Sequence, residues 1–359
     1  MVETGVAWTP TFALLRASRR APFPVPDFLP DEGWDRGDRV QCLFDILTHA
    51  AGMLPSVRII EDFPPATARE VLTFHTERFT RDRGLLGPGT PSPDVQVGLL
   101  AAGAAVELCR RIWRGELRNG YALVRPAGHH TEADSAGGAQ FANLVLAAME
   151  AKRLGARRIL IVDWDAHHGN SQQAAFWDDP GVLTISIHQG RAYPPGTGGT
   201  DARGGGSGVG TNINVPVPMG SGGGVYRAVF DRIVGPAAAR FRPDIVFVAS
   251  GLDGSYLDPS ARLALHSGDY GWMTTRIVEI AERYARGRLV LTHEGGYALQ
   301  FMPLCLLRIV EALAGEDAGI ADPFLQRWST DFAEQVTSEA EAVIAECAGL
   351  VAGVPRAPG

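Results

Sequence analysis

Residues 159–170 read ILIVDWDAHHGN: four apolar, mostly β-branched residues run directly into Asp163, Trp164, Asp165, Ala166, His167 and His168. Charge enters where a buried strand should stop. In extended backbone, side chains two apart share a side, so Asp163, Asp165 and His167 can converge on one locus. Carboxylate and imidazole together form a borderline-hard donor set suited to Zn(II), with Fe(II), Co(II) or Mn(II) as alternatives.

Further strands of the same character lie to either side. The apolar run Ile245–Ala249 leads into Ser250-Gly251-Leu252-Asp253, whose terminal carboxylate is the natural third ligand. Open parallel sheets gather ligands at the carboxyl ends of their strands, so distance along the chain is no obstacle. Three protein ligands leave a position for water, the composition of a catalytic rather than a structural zinc site. Tyr121–Val124 ends in Arg125-Pro126-Ala127-Gly128-His129-His130, and Leu289–Leu291 ends in His293-Glu294-Gly295-Gly296-Tyr297. These supply acid-base groups. Hydrolysis must take a proton from water and give one to the leaving group, and histidine titrates nearest neutrality. A tyrosine hydroxyl can donate to a developing oxyanion, and the paired glycines allow a tight turn beside it. Taken singly, an Asp-x-Asp, a His-His or a Gly-Gly-Tyr is more often a turn or a packed pair. Together, at the ends of separate strands, they form the inventory that metal-assisted hydrolysis requires.

Alternating strands and helices from about Gly120 onward, with Leu183–Ile187 as a further strand, predict an α/β fold with a parallel sheet. Helices are expected over Leu99–Trp113, Ala142–Leu154, Tyr226–Phe241, Gly271–Tyr284 and Pro303–Leu313 from apolar residues spaced three and four apart. No repeat or linker divides the chain, so one domain over residues 1–351 is expected, with residues 352–359 as a frayed tail. The Gly-rich stretches Gly196–Gly210 and Gly220–Gly224 lack Walker spacing and read as surface loops.

The 359 residues carry 33 Lys and Arg against 40 Asp and Glu, a formal charge of −7. That leaves no broad basic surface for nucleic acid. No cationic leader or long apolar run points to secretion or a membrane. The scattered Cys42, Cys109, Cys305 and Cys347 read as free thiols of a reducing cytoplasm.

The motifs RPAGHH, DWDAHHGN, LTISIHQ, NINVPVP, SGLDGSYLDP, LHS and HEGGY, spread from about Gly98 to Pro323, resemble the histone deacetylase family. The resemblance is greatest to its bacterial class II branch of histone deacetylase-like amidohydrolases. It implies a three-layer α/β/α arginase/deacetylase-like fold with a central, mostly parallel sheet. One catalytic zinc would be held by Asp165, His167 and Asp253. His129 and His130 match the tandem histidines that handle the water and leaving-group protons, and Tyr297 the tyrosine that polarises the acyl carbonyl. Asp163 matches a carboxylate behind the first histidine that also helps hold a structural potassium ion. Asp163, Asp165, His167, Ser186 and Ile187 would ligate that ion. A second alkali ion would use Phe176, Asp179, Val182 and a residue near Thr211. His168 is expected to support its loop, and His49, His75, His188 and His266 to have no chemistry.

The chain also departs from the pattern. Where the family carries Gly-Phe-Cys, this sequence has Gly137-Gly138-Ala139, so one aromatic wall of the acyl-lysine tunnel is missing. Tyr193 is the expected opposite wall. Ser260 stands where a large apolar residue is common, and both changes predict a wider tunnel. Asn170 matches class II. A substrate-backbone contact from the Thr80–Asp94 segment would fall to Asp82 or Asp94. The resemblance implies an acylated amine as substrate: a peptide lysine, a polyamine or a small metabolite, with a homo-oligomer compatible. The alternatives are an acetylpolyamine amidohydrolase, a dinuclear manganese ureohydrolase and a catalytically silent acyl-amine binder.

Overall fold

A computed structural model of the chain describes residues 3–15, 35–325 and 333–357. Among them, eight strands form a single sheet: β1 (Thr4–Ala7), β2 (Val57–Ile60), β3 (Asn119–Ala122), β4 (Ile159–Asp163), β5 (Val182–Gln189), β6 (Asn212–Val217), β7 (Ile245–Ser250) and β8 (Leu289–His293). Their order is β2-β1-β3-β8-β7-β4-β5-β6, and each neighbouring pair is parallel. β4, β5, β7 and β8 are buried along their whole length; β4, β7 and β8 therefore open as apolar runs in the sequence, while β5 (VLTISIHQ) interleaves Thr184, Ser186 and His188 with its apolar residues.

The main helices are α1 (Gly37–Ala50), α2 (Pro93–Trp113), α3 (Asn143–Arg153), α4 (residues 223–241, with a π-helical stretch at Phe230–Val234), α5 (Ser267–Ala285), α6 (Met302–Ala314) and α7 (Ser338–Leu350). α2 packs on α3, while α6 packs on both α5 and α1. These two sets sandwich the sheet in the expected three-layer α/β/α arrangement. α2 starts where Ser92 Oγ accepts from the Val95 amide and Pro93 presets the first turn. Its Gly103 admits the Pro64 carbonyl, which a Cβ there would strike.

Sheet register fixes where the motifs emerge. Ala122, Thr292, Ala249, Asp163 and Ser186 lie on one row across β3, β8, β7, β4 and β5. The chemistry-bearing segments therefore all open at the same level, on the carboxyl edge of the sheet.

The structure differs from expectation in places. β3 lies two residues earlier than predicted, and β1, β2, β6, α1 and α7 had no sequence prediction. In residues 352–357, expected to fray, Val354 is buried, its carbonyl accepts from Arg240 Nε, and the Ala357 amide donates to the Arg240 carbonyl, while Ala352, Gly353 and Arg356 are exposed. Pro358 and Gly359 lie outside the described residues. No helix among the described residues is long and apolar enough to cross a membrane.

Candidate active site

β4 stops at Asp163, and with it the alternation of side chains stops. Asp163 therefore does not join Asp165 and His167 at one point. Asp165 and His167 instead meet Asp253, from the loop after β7, with one donor atom of each within 4.8 Å of the others. His167 Nδ1 lies 2.9 Å from Asp253 Oδ2 and 3.1 Å from Asp165 Oδ1. Backbone amides aim the carboxylates: Gly295 N donates to Asp165 Oδ2 at 2.8 Å and Ala166 N to Asp253 Oδ1 at 2.8 Å. Glycine is required around them. A Cβ at Gly251 or Gly295 would run into these carboxylates.

Electrostatics make the cluster a cation trap. Both aspartates are fully buried. Burial, then the charge of Asp165, pushes Asp253 up to about 7. Burial opposes charge on His167, yet Asp253 and Asp165 outweigh it and push it up to about 11. Two carboxylates forced together out of water call for a positive partner, and the mixed N/O donor set fits a divalent ion such as zinc.

Asp163 stands one step behind, with Oδ2 3.0 Å from His129 Nδ1 and Oδ1 accepting from the Asp165 amide at 2.9 Å. The His129 and His130 rings lie 3.9 Å apart, and His129 Nε2 is 3.6 Å from Asp165 Oδ2. His130 Nδ1 faces Asn170 Oδ1 at 2.9 Å. Burial opposes charge on His129, but Asp165 and Asp163 push it up to about 10; burial and the charge of His129 hold His130 well below its usual range. Glu294 fixes the turn before the pair, accepting from Gly128 N at 2.7 Å and His129 N at 3.1 Å. Its neighbour His293, grouped with the acid-base residues on sequence, is buried and faces Tyr121 Oη at 3.1 Å, away from the cavity lining.

Tyr297 borders the same cavity, its ring 4.3 Å beneath the Arg39 guanidinium. Burial keeps its hydroxyl above the ordinary tyrosine value. Arg39 Nε donates to the Gly296 carbonyl at 2.5 Å and Nη2 to the Glu294 carbonyl at 3.1 Å, while Nη1 pairs with Asp35. Asp258 Oδ2 accepts from the Tyr297 amide at 2.6 Å. Sequence reasoning missed both. Arg39 sits on a helix remote in sequence with no motif around it, whereas Asp258 lay inside SGLDGSYLDP and could have been flagged as a carboxylate next to a turn-forming proline.

The cavity has a volume of about 610 Å³, and Gly138, Ala139, Tyr193 and Ser260 all line it. Tyr193 stands edge-on to His130 at 4.8 Å. A Cβ on Gly138 would meet nothing within 4 Å, so that wall is open space. Neither Asp82 nor Asp94 borders the cavity; the acidic residue at its side is Asp35, held by Arg39 and Arg125. Ser186 lies beside Asp163 on β5, followed by Ile187. Phe176, Asp179, Val182 and Thr211 come together at the start of β5, where Asp179 N donates to the Phe176 carbonyl, Val182 N to the Asp179 carbonyl and Thr211 Oγ1 to that same carbonyl. A second acidic group, His266, Asp269 and Glu334, already holds a cation, Arg227, which pairs with both carboxylates.

Residues 90–313 match the model of the histone deacetylase domain. The chain is 41% identical over 272 residues to a histone deacetylase-like amidohydrolase of Pseudomonas aeruginosa, covering 72% of each chain. It is 36% identical over 306 residues to a probable deacetylase of Archaeoglobus fulgidus, covering 80% of this chain and 84% of that one. The chain belongs to the histone deacetylase family. Its fold superimposes on the crystal structure of the HDA15 HD domain with a TM-score of 0.81 and 28% identity, covering 98% of this chain and 96% of the other. Deacetylase and amidohydrolase chemistry on acylated amines is thus the activity class of this deacetylase-family chain.

Proposed function

We propose that this protein hydrolyses the amide of an N-acyl amine to a free amine and a carboxylate, with one Zn²⁺ held by Asp165, His167 and Asp253. The observation that carries this is the meeting of those three donors with His129, His130 and Tyr297 at one cavity. When bound, the ion supplies Lewis acidity, polarising the acyl carbonyl and making water acidic enough to attack near neutral pH. His130, kept neutral by burial and by His129, takes the proton of the attacking water, with Asn170 fixing its ring. His129, kept charged by Asp163 and Asp165, adds positive field beside the reacting carbonyl and supports delivery of a proton to the departing amine. Tyr297 donates to the oxyanion, and its burial keeps that proton on the hydroxyl.

Potassium would sit among oxygens of Asp163, Asp165, His167, Ser186 and Ile187, and a second alkali ion among those of Phe176, Asp179, Val182 and Thr211. The open wall at Gly138 and Ala139, with Ser260 at the rim, supports a tunnel wider than acetyl-lysine needs. Four free thiols suit a reducing compartment such as the cytoplasm. A silent acyl-amine binder would have no use for two histidines oriented by separate partners, so hydrolysis is favoured.

Elemental analysis should find one zinc per chain at the triad, and chelation should abolish cleavage of acyl-lysine amides until zinc is restored. Tyr297→Phe should lower kcat by roughly 10²–10³-fold with zinc retained. Unchanged turnover would remove Tyr297 from the mechanism, and equal cleavage with and without zinc would overturn the whole proposal.

A further inference from the structure

Most charges around the cavity are already answered. Asp165, His167 and Asp253 face one another, His129 faces Asp163, and Arg39 pairs with Asp35. Arg262 is the exception. It lines the cavity on its exposed side, and among the described residues no carboxylate pairs with it.

Its placement is built rather than incidental. The Arg262 amide donates to Gln189 Oε1 at 2.7 Å, and its carbonyl accepts from Gly220 N at 2.7 Å. The flanking Ala261 and Leu263 are buried, at 5% and 4% exposure, which anchors the segment on both sides. One face of the guanidinium is spent locally, with Nη1 donating to the carbonyls of Ala261 at 2.7 Å and Pro259 at 3.2 Å. Nε and Nη2 make no hydrogen bond among the described residues. That unspent edge is one of those on which arginine grips a carboxylate with two parallel bonds. Around it the mouth is apolar, with Met219 67% and Tyr193 46% exposed.

We infer that Arg262 anchors a carboxylate of the substrate, so that the preferred substrates are N-acyl amines carrying a free acid group away from the scissile amide. This rests on the hydrolase proposal and adds a substrate class to it. The reaction is unchanged: water adds across the amide, and the carboxylate at Arg262 takes no part in bond making. A polyamine would bring positive charge to a positive mouth, and like-charge juxtaposition disfavours it.

The test compares Nα-blocked Nε-acetyl-lysine as the free acid, as its carboxamide, and an acetylated diamine. Zinc-loaded wild-type protein should favour acid over carboxamide by roughly 5–50-fold in kcat/KM, expressed in KM, with the diamine last. The preference should shrink as salt rises. Arg262→Gln should bring the acid-to-carboxamide ratio near one, and Arg262→Glu should reverse it and promote the diamine. Calorimetric binding of the same acid and carboxamide to wild-type and variant protein reads the preference without turnover. A ratio near one in the wild type, or one that Arg262→Gln leaves intact, overturns the assignment while the hydrolase proposal stands. Loss of all cleavage with the binding preference intact overturns the hydrolase proposal and leaves Arg262 as the anchor.

Discussion

Asp258 offers the sharpest test of how this site is held. The carboxylate is 6% exposed and all of its acceptor positions are used. Oδ1 takes the Ser260 amide at 2.9 Å and the Ser260 hydroxyl at 2.6 Å; Oδ2 takes the Tyr297 amide at 2.6 Å and the Ala298 amide at 3.2 Å. One side chain thus ties the rim to the backbone of the proposed oxyanion donor. In Asp258→Asn, the NH₂ should turn toward Ser260, whose hydroxyl can rotate to accept. That leaves the Ser260 amide orphaned, at a cost of about 1–3 kcal/mol. The bonds at Tyr297 and Ala298 survive but lose their charge assistance, which roughly halves each. In Asp258→Ala the Tyr297 loop loses its tether entirely, and a displacement on the order of 1 Å at a reacting group costs about 10² in rate.

The expected series is therefore kcat down roughly tenfold for Asp258→Asn and about a hundredfold for Asp258→Ala, with smaller changes in KM. Asp258 makes no hydrogen bond to Asp165, His167 or Asp253, so metal content should stay at the wild-type level. Steady-state kinetics, elemental analysis and thermal melting on the same preparations separate the outcomes. A folded, metal-replete Asp258→Ala protein with kcat within about twofold of wild type would refute Asp258 as the residue that positions Tyr297.

Two further perturbations probe the metal cradle and the core. Gly295→Ala places a Cβ against Asp253 Oδ2 and 2.7 Å from Asp165 Oδ2, so zinc affinity in a competitive chelator titration should fall at least about tenfold, and an unchanged affinity would place the ion elsewhere. His75 is 2% exposed, stacked on Phe79 at 4.4 Å, and accepts from the Ala142 amide at 3.2 Å; burial holds it down at about 4. The unfolded chain binds that proton near pH 6.5, so the stability conferred by a neutral His75 is present above about pH 6.5 and is lost as pH falls toward 4, about 2 kcal/mol of it by pH 5. Urea unfolding between about pH 8 and pH 5 should show a slope shallower by that amount in His75→Gln, and an identical slope in both proteins would mean that His75 titrates normally in the fold.

The sequence was most legible where burial is complete. β4, β7 and β8 are covered on both faces, so their apolar runs stand out and the polar residues that end them mark the site. Of the missed strands, β1 (TGVA) is buried throughout but is too short and too poor in large apolar residues to read as a run, and the other two lie at the sheet edges. β2 (VRII) is an edge strand with two exposed residues, and β6 (NINVPV) carries Asn212, Asn214 and Pro216, which an edge position tolerates. Within the site, residues that contribute side-chain chemistry were visible, because hydrolysis demands their types. Arg39, Asp258 and Arg262 were not, because they act through packing, backbone hydrogen bonds or unspent charge that only the folded chain brings together.

The different positions of Asp163 and Asp165 show how strand geometry divides labour between two similar residues. Asp163 is the last residue of β4, paired in register with Ala249 and Ser186, so its carboxylate stays at the level of the sheet and meets His129 from behind. Asp165 lies past the strand, where the chain is free to turn toward the Asp253 loop. The four strands that lead into the clustered groups, β3, β8, β7 and β4, are consecutive in the sheet although not in the sequence. At about 4.8 Å per strand, their tips span roughly 15 Å, so short loops suffice to close them over one ion and one amide. A site assembled from those same motifs on strands placed at the two sheet edges could not close, which is why the crossover order matters to the chemistry as much as the residues do.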